Sequence, residues 1–273
     1  MISIDLNGRP IEFDETSPID ISIPMHFGGI QPNAYGVEPA TAKACEYGPL
    51  VVGDTRRGGS CNFEQVMLIP HCNGTHTECV GHIAKERISV RDCLKDILIP
   101  SVIVSVRPAV GELGQTDLLI TRESLETLVE RTNSNLKHLA LIVRTFPNDQ
   151  SKLSRQYVPD DATSPDMPPY FATDAMQYIV DRGFKHLLVD LPSIDRMYDE
   201  GKLLNHRIFW NVPPGSFEAG PNARRENTIT ELVYVPNEID DGEYLLNLQI
   251  APFESDASPS RPVLFRPLSR STF

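Results

Sequence analysis

Residues 71–82 read HCNGTHTECVGH, so three imidazoles, two thiols and one carboxylate fall within twelve positions. The run follows the apolar Val66-Met67-Leu68-Ile69 and is broken by Asn73-Gly74-Thr75. That pattern predicts a strand entering a tight turn, the kind of loop on which a rigid scaffold carries its chemistry. Gly74 is expected to fold the chain back so that the residues on either side reach one ion. Cys72, His76 and Glu78 offer a thiolate, an imidazole and a carboxylate, a set suited to Zn²⁺. A carboxylate ligand beside an uncommitted histidine, His82, favours an open hydrolytic site over a closed structural knuckle. The competing reading is a polar turn that satisfies backbone groups. Cys72 and Cys79 lack the C-x-x-C spacing of a redox pair.

Working outward, the 273 residues are 40% hydrophobic and 23% charged, enough for a substantial core. The 23 prolines and 17 glycines favour strands and ordered loops over long helices. A formal charge of −12 argues against a nucleic-acid surface, which needs clustered Lys and Arg. No stretch approaches the ~20 apolar residues of a membrane span, and the N-terminus lacks the pattern of a secretory signal. With five cysteines, an odd number, the sequence is read as that of a cytoplasmic protein with reduced thiols.

Residues 19–24 alternate like a strand, and 51–52 and 64–70 add two more around the turn at 57–59. SVIVSVR (101–107) and HLALIVR (138–144) read as buried strands, with the helix TRESLETLVERT (121–132) between them, capped by Thr121. A second helix is expected at 173–182, closed by Gly183, before a buried strand at 187–191. Residues 206–210, 228–235 and 244–251 read as strands. Strand–helix–strand order thus occurs twice, and with no evident linker the whole chain, 1–273, is expected to form a single α/β domain. The polar stretch 148–169 is expected to be a long loop, either a simple insertion or an active-site lid.

Residues 71–82 also resemble the signature H-x-G-T-H-x-D-x-P-x-H of the cyclase, or kynurenine formamidase-like, family of metal-dependent hydrolases. Gly74, Thr75, His76 and His82 match it; Cys72 stands for the first His, Glu78 for the Asp and Val80 for the Pro. Residues 189–195, VDLPSID, resemble the family's G-x-D-x-P-S-x-D segment, and 258–262, SPSRP, its S-P-x-R element. The resemblance extends from about residue 18 to the end. It implies the swivelling β/β/α fold, an α/β domain with a central barrel-like mixed sheet. It implies one ion on Cys72, His76 and Glu78, a second on Glu78, His206 and Glu231, and His82 as the proton carrier. Thiolate ligation favours Zn²⁺ over Mn²⁺ at the Cys72 position. Activity, by the same resemblance, is arylformamidase-like hydrolysis of an amide C–N bond by metal-activated water. N-formylkynurenine, an intermediate of tryptophan catabolism, or a related aryl or cyclic amide is the implied substrate, and a homo-oligomer, dimer or tetramer, the implied assembly. The alternatives are a hydrolase of a cyclic imide or lactone, and a non-catalytic metal-binding or regulatory protein on the same fold.

His71 rivals Cys72 as first ligand, but misses the family spacing by one residue; on a strand only one of the two would face the site. His26 is read as a loop residue, and His138 and His186 as surface positions ahead of strands. Asp190 and Asp195 are either turn residues or supports for a liganding histidine. Phe27, Tyr170, Phe171 and Trp210 are core residues first and pocket walls second.

Overall fold

Ala140–Thr145, six residues buried along their whole length, form the middle strand of the molecule. A strand buried on both faces reads as an unbroken apolar run, which is what the sequence carries here. The computed structural model describes residues 1–6, 9–48, 51–112, 114–132, 139–158 and 167–268. Among them nine strands make the central sheet: β1 (Ile19–Asp20), β2 (His76–Glu78), β3 (Leu98–Val106), β4 (Ala140–Thr145), β5 (His186–Val189), β6 (Thr228–Glu231), β7 (Gly242–Asn247), β8 (Ala257–Pro259) and β9 (Val263–Phe265). Their spatial order is β8-β2-β6-β5-β4-β3-β7-β9-β1. The inner four, β3 to β6, pair in parallel, and every outer pairing is antiparallel.

Parallel neighbours need crossovers. Helices α2 (Arg122–Arg131), α3 (Thr173–Asp181) and α4 (Leu204–Trp210) lie between successive inner strands. Alternation along β3 assigns its two faces. Val102, Val104 and Val106 pack with Leu125, Met176, Ile179 and Phe209 of the helices. Ile99 and Ile103 pack instead with Ile19, Tyr244, Leu246 and Leu264 of the antiparallel edge. One face is therefore covered by helices and the other by the sheet's own edge, so the sheet curls into a half-barrel. This is the swivelling, barrel-like α/β architecture that the resemblance implies.

Helix α2 begins as the sequence predicts, with the Thr121 hydroxyl accepting from the Ser124 amide at 3.3 Å. Gly183 follows α3 in the left-handed region, φ +82°.

Three expectations are corrected. Residues 206–210 are helical, because His206, Phe209 and Trp210, at i, i+3 and i+4, all bury one face. His186 is fully buried: Thr228 Oγ1 at 2.8 Å and Asp96 Oδ2 at 3.1 Å supply the partners that burial demands. Gly74 is extended, φ 167°, and does not reverse the chain.

The start of the 148–169 stretch is ordered by a 3-10 helix, Gln150–Ser154, and by Gln156–Tyr157 pairing with Asn33–Ala34. Residues 159–166, and His138, lie outside the described residues. No helix among the described residues is long and apolar enough to cross a membrane.

Candidate metal centre

In β2, His76 and Glu78 are two residues apart and point to the same face. Thr77 points to the other, its hydroxyl 2.8 Å from that of Thr230. Because β2 pairs with β6, His76 lies opposite Glu231, and Nε2 of the one is 3.6 Å from Oε2 of the other. Helix α4 brings in His206, whose Nε2 is 3.1 Å from Glu78 Oε1 and 3.9 Å from Glu231 Oε1. None of the four is more than 4% exposed. Behind them, His206 Nδ1 meets Asp195 Oδ2 at 2.6 Å, and the other oxygen of Asp195 accepts from the Asn205 amide at 2.8 Å. Such a carboxylate fixes an imidazole's tautomer and rotation. Trp210 lies against the His206 ring, with centroids 5.4 Å apart.

The cluster leaves a buried nitrogen without a partner. His76 Nδ1 donates to the Gly74 carbonyl at 3.0 Å, so its Nε2 carries the lone pair. Burial pushes this imidazole down to about 4, which keeps it neutral near pH 7. Nε2 is buried with no hydrogen-bond partner, 3.6 Å from Glu231 Oε2. An unsatisfied buried atom in such a setting calls for an ion or a water. Burial and the neighbouring Glu78 hold Glu231 well above the usual carboxylate range. Glu78 is held below that range, because His82, His206 and His71 outweigh the effect of burial. His206 is raised well above its ordinary value, since hydrogen bonds to Asp195 and Glu78 overcome burial. Oxygen and nitrogen donors converging in this way are the ligand chemistry of a divalent metal ion, and the residues fit such an ion.

At the mouth are His71 and His82, 27% and 28% exposed. His71 Nε2 and His82 Nδ1 are 3.5 and 3.7 Å from Glu78 Oε2. Asp256 Oδ2 lies 3.0 Å from the first and 3.6 Å from the second. Two groups of three thus have their ligand atoms within 4.8 Å of one another: Glu78, His206 and Glu231, all buried, and His71, Glu78 and His82. Glu78 is common to both.

The family model described as "Putative cyclase" matches residues 16–196. The chain belongs to that family. Kynurenine formamidase of Bacillus cereus is 25% identical over 212 residues, which is 77% of this chain and 82% of that one. The Bacillus anthracis kynurenine formamidase is 24% identical over 221 residues, 80% and 86% of the two chains. Among solved structures, isatin hydrolase A of Labrenzia aggregata, bound to benzyl benzoate, superposes with a TM-score of 0.63 at 13% identity, covering 91% and 93%. A predicted metal-dependent hydrolase of Bacillus stearothermophilus gives 0.58 at 16%, covering 91% and 98%.

Within this cyclase-family chain the structure brings together Glu78, His206 and Glu231, sets His76 against Glu231, and places His82 beside Glu78. The first position differs from the sequence expectation. His71, and not Cys72, stands next to Glu78 and His82, and Cys72 belongs to neither group. The cause is local: Pro70–Asn73 is a single helical turn, α1, so neighbouring side chains do not simply alternate. Cys72 turns into an apolar cluster with Ile23, Ala34, Met197 and Leu232. Burial and Glu231 push its thiol up to about 11.

Asp256 escaped the sequence reading altogether. Its one signal was its place just ahead of the Ser258-Pro259-Ser260-Arg261 element. Of the two readings of Asp195, support of a histidine is the one the geometry shows. Asp190 instead accepts from Lys152 Nζ at 2.7 Å and from the Thr145 amide at 2.8 Å. Phe171 and Trp210 are buried in the core and Phe27 is exposed, while Tyr170 lines a cavity of about 490 Å³ shared with Asp195 and Asn205.

Proposed function

We propose that this protein is a metal-dependent amidohydrolase of arylformamidase-like specificity, cleaving the C–N bond of an N-formyl aryl amine or a related cyclic amide. One observation carries the reading. The partnerless Nε2 of His76 faces the buried Glu231, within a cluster of His and Glu donors at whose part-exposed side stands His82. The relatives named kynurenine formamidase and isatin hydrolase support an amide as the bond cleaved. A homo-oligomer, dimer or tetramer, acting on a small amide belongs to the same proposal on the family resemblance alone, and a cytoplasmic location on the odd count of five cysteines.

Glu78, His206 and Glu231, with His76, would hold a Zn²⁺ ion; His71 takes the place next to Glu78 that Cys72 was expected to fill. When bound, such an ion supplies Lewis acidity and a water acidic enough to ionise near neutral pH. Asp195 keeps the Nδ1 proton of His206 pointing away, so that Nε2 faces the carboxylates. His82 stands where the enclosed donors meet the solvent side. It accepts a proton from the attacking water and returns it to the departing nitrogen, so that amide and water become acid and amine. Burial of the four donors excludes bulk water from them and strengthens their interaction with any charge placed there.

The test is hydrolysis of an N-formyl aryl amine by the protein as purified, after chelation, and after Zn²⁺ is restored. Loss of at least about 100-fold on chelation with recovery on Zn²⁺ is expected, because the acidified water goes with the ion. Turnover untouched by chelation would overturn the metal-dependent reading. Tight Zn²⁺ binding with no turnover of formyl or cyclic amides would favour the non-catalytic alternative.

A further inference from the structure

We propose that Asp256 is a positioning residue for His82: its carboxylate holds Nδ1–H of His82 and leaves Nε2 free to face the substrate. This rests on the reading of His82 as the proton carrier. The carboxylate lies 3.6 Å from His82 Nδ1 and 3.0 Å from His71 Nε2, and the two rings are 4.6 Å apart and tilted by 31°. The carboxylate thus lies nearer to His71 than to His82, and His71 Nε2 is left without a hydrogen-bond partner of its own. Contacts that serve catalysis are often long without substrate and shorten when it binds.

The backbone shows why this aspartate, distant in sequence, reaches the motif. β8 lies against β2, with Ala257 opposite Glu78, and the Cys79 amide donates to the Asp256 carbonyl at 3.0 Å. The 3-10 turn Val80–His82 starts at Cys79, whose sulfur accepts from the Gly81 amide at 3.4 Å. Histidine and carboxylate therefore hang from the same strand pair. Gly81 makes the approach possible: a Cβ there would lie 2.3 Å from the Ile88 carbonyl oxygen and 3.1 Å from Asp256 Cβ. The Ser255 hydroxyl donates to Asp256 Oδ1 at 3.2 Å, which fixes the carboxylate's rotation.

The chemistry needs such a partner. A neutral imidazole carries its proton on either nitrogen, and the hydrogen bond at one nitrogen decides the state of the other. His82 Nδ1 also lies 3.7 Å from Glu78 Oε2, and Glu78 is committed to the proposed ion. Asp256 is one-third exposed and belongs to neither ligand group, so it is available for the task.

The experiment joins ¹⁵N spectra of the histidine side chains, on Zn²⁺-loaded protein, with kinetics on formanilide. In the wild type His82 is expected as the Nδ1–H tautomer, and in Asp256→Ala as a mixture of both. In that variant kcat should fall about 10–100-fold, the range for partners that orient a site's histidines. KM and zinc content should stay near wild type, and Asp256→Glu should recover most of the loss. Asp256→Asn, of equal size, carries the spectra if the alanine variant does not fold. Unchanged His82 signals would overturn the proposal, as would loss of zinc, which would make Asp256 a ligand. The spectra decide even if the wild type fails to hydrolyse formanilide, so failure of the proposed function is distinguishable from failure of this role.

Discussion

Glu78→Ala protein is expected to fold, to bind Zn²⁺ more than about 100-fold more weakly than wild type, and to lose turnover in step; 100-fold is the upper end for partners that only support a ligand. The expectation follows from position. Glu78 is the residue common to both ligand groups, and its two oxygens reach His206 at 3.1 Å on one side and His71 and His82 at 3.5 and 3.7 Å on the other. The ion-free protein should tolerate the change, because Glu231 would lose the like charge that, after burial itself, most disfavours its ionisation. Thermal unfolding with and without Zn²⁺ separates the two effects. Wild type should gain about 2.7 kcal/mol when free zinc stands 100-fold above Kd, and Glu78→Ala little at the same concentration. Equal zinc content in the two proteins would remove Glu78 from the centre.

His82→Ala should behave in the opposite way, keeping its metal while losing turnover about 10²–10⁴-fold, the usual worth of a general acid–base group. The histidine is 28% exposed, whereas the proposed ligands are buried, and its nearest carboxylates are the part-exposed Asp256 at 3.6 Å and the buried Glu78 at 3.7 Å. Elemental analysis of the purified variant is the check. If zinc leaves together with activity, His82 is a ligand of the His71–Glu78–His82 group, and the proton must be carried by another residue.

How much of this could be read from sequence depends on how local the cause was. The strands around Val102 and Leu141 and the helix capped by Thr121 follow from side chains within each segment, and they stand where periodicity put them. The helix Leu204–Trp210 was misread because Ile208, Phe209 and Trp210 favour strands locally, while burial of His206, Phe209 and Trp210 against the core decided the outcome. His186 is buried only because Asp96 and Thr228, from distant segments, satisfy its ring.

The same division runs through the site. Spacing marked His76, Glu78 and His82, and resemblance added His206 and Glu231. The choice between His71 and Cys72 turned on whether residues 70–73 form a strand or a helical turn, which Pro70 at the first helical position decided. Asp256 reaches the histidines through strand pairing between β2 and β8, and no local pattern announces that contact.

The most direct test is an anomalous difference map at the zinc edge from crystals of the Zn²⁺-loaded protein. A peak is predicted about 2.0–2.2 Å from carboxylate oxygens of Glu78 and Glu231 and from Nε2 of His206, the usual zinc–oxygen and zinc–nitrogen distances. No peak should lie about 2.3 Å from the sulfur of Cys72, the zinc–thiolate distance. A peak on that sulfur, or an empty Glu78–His206–Glu231 cluster in protein that retains its zinc, would contradict the account.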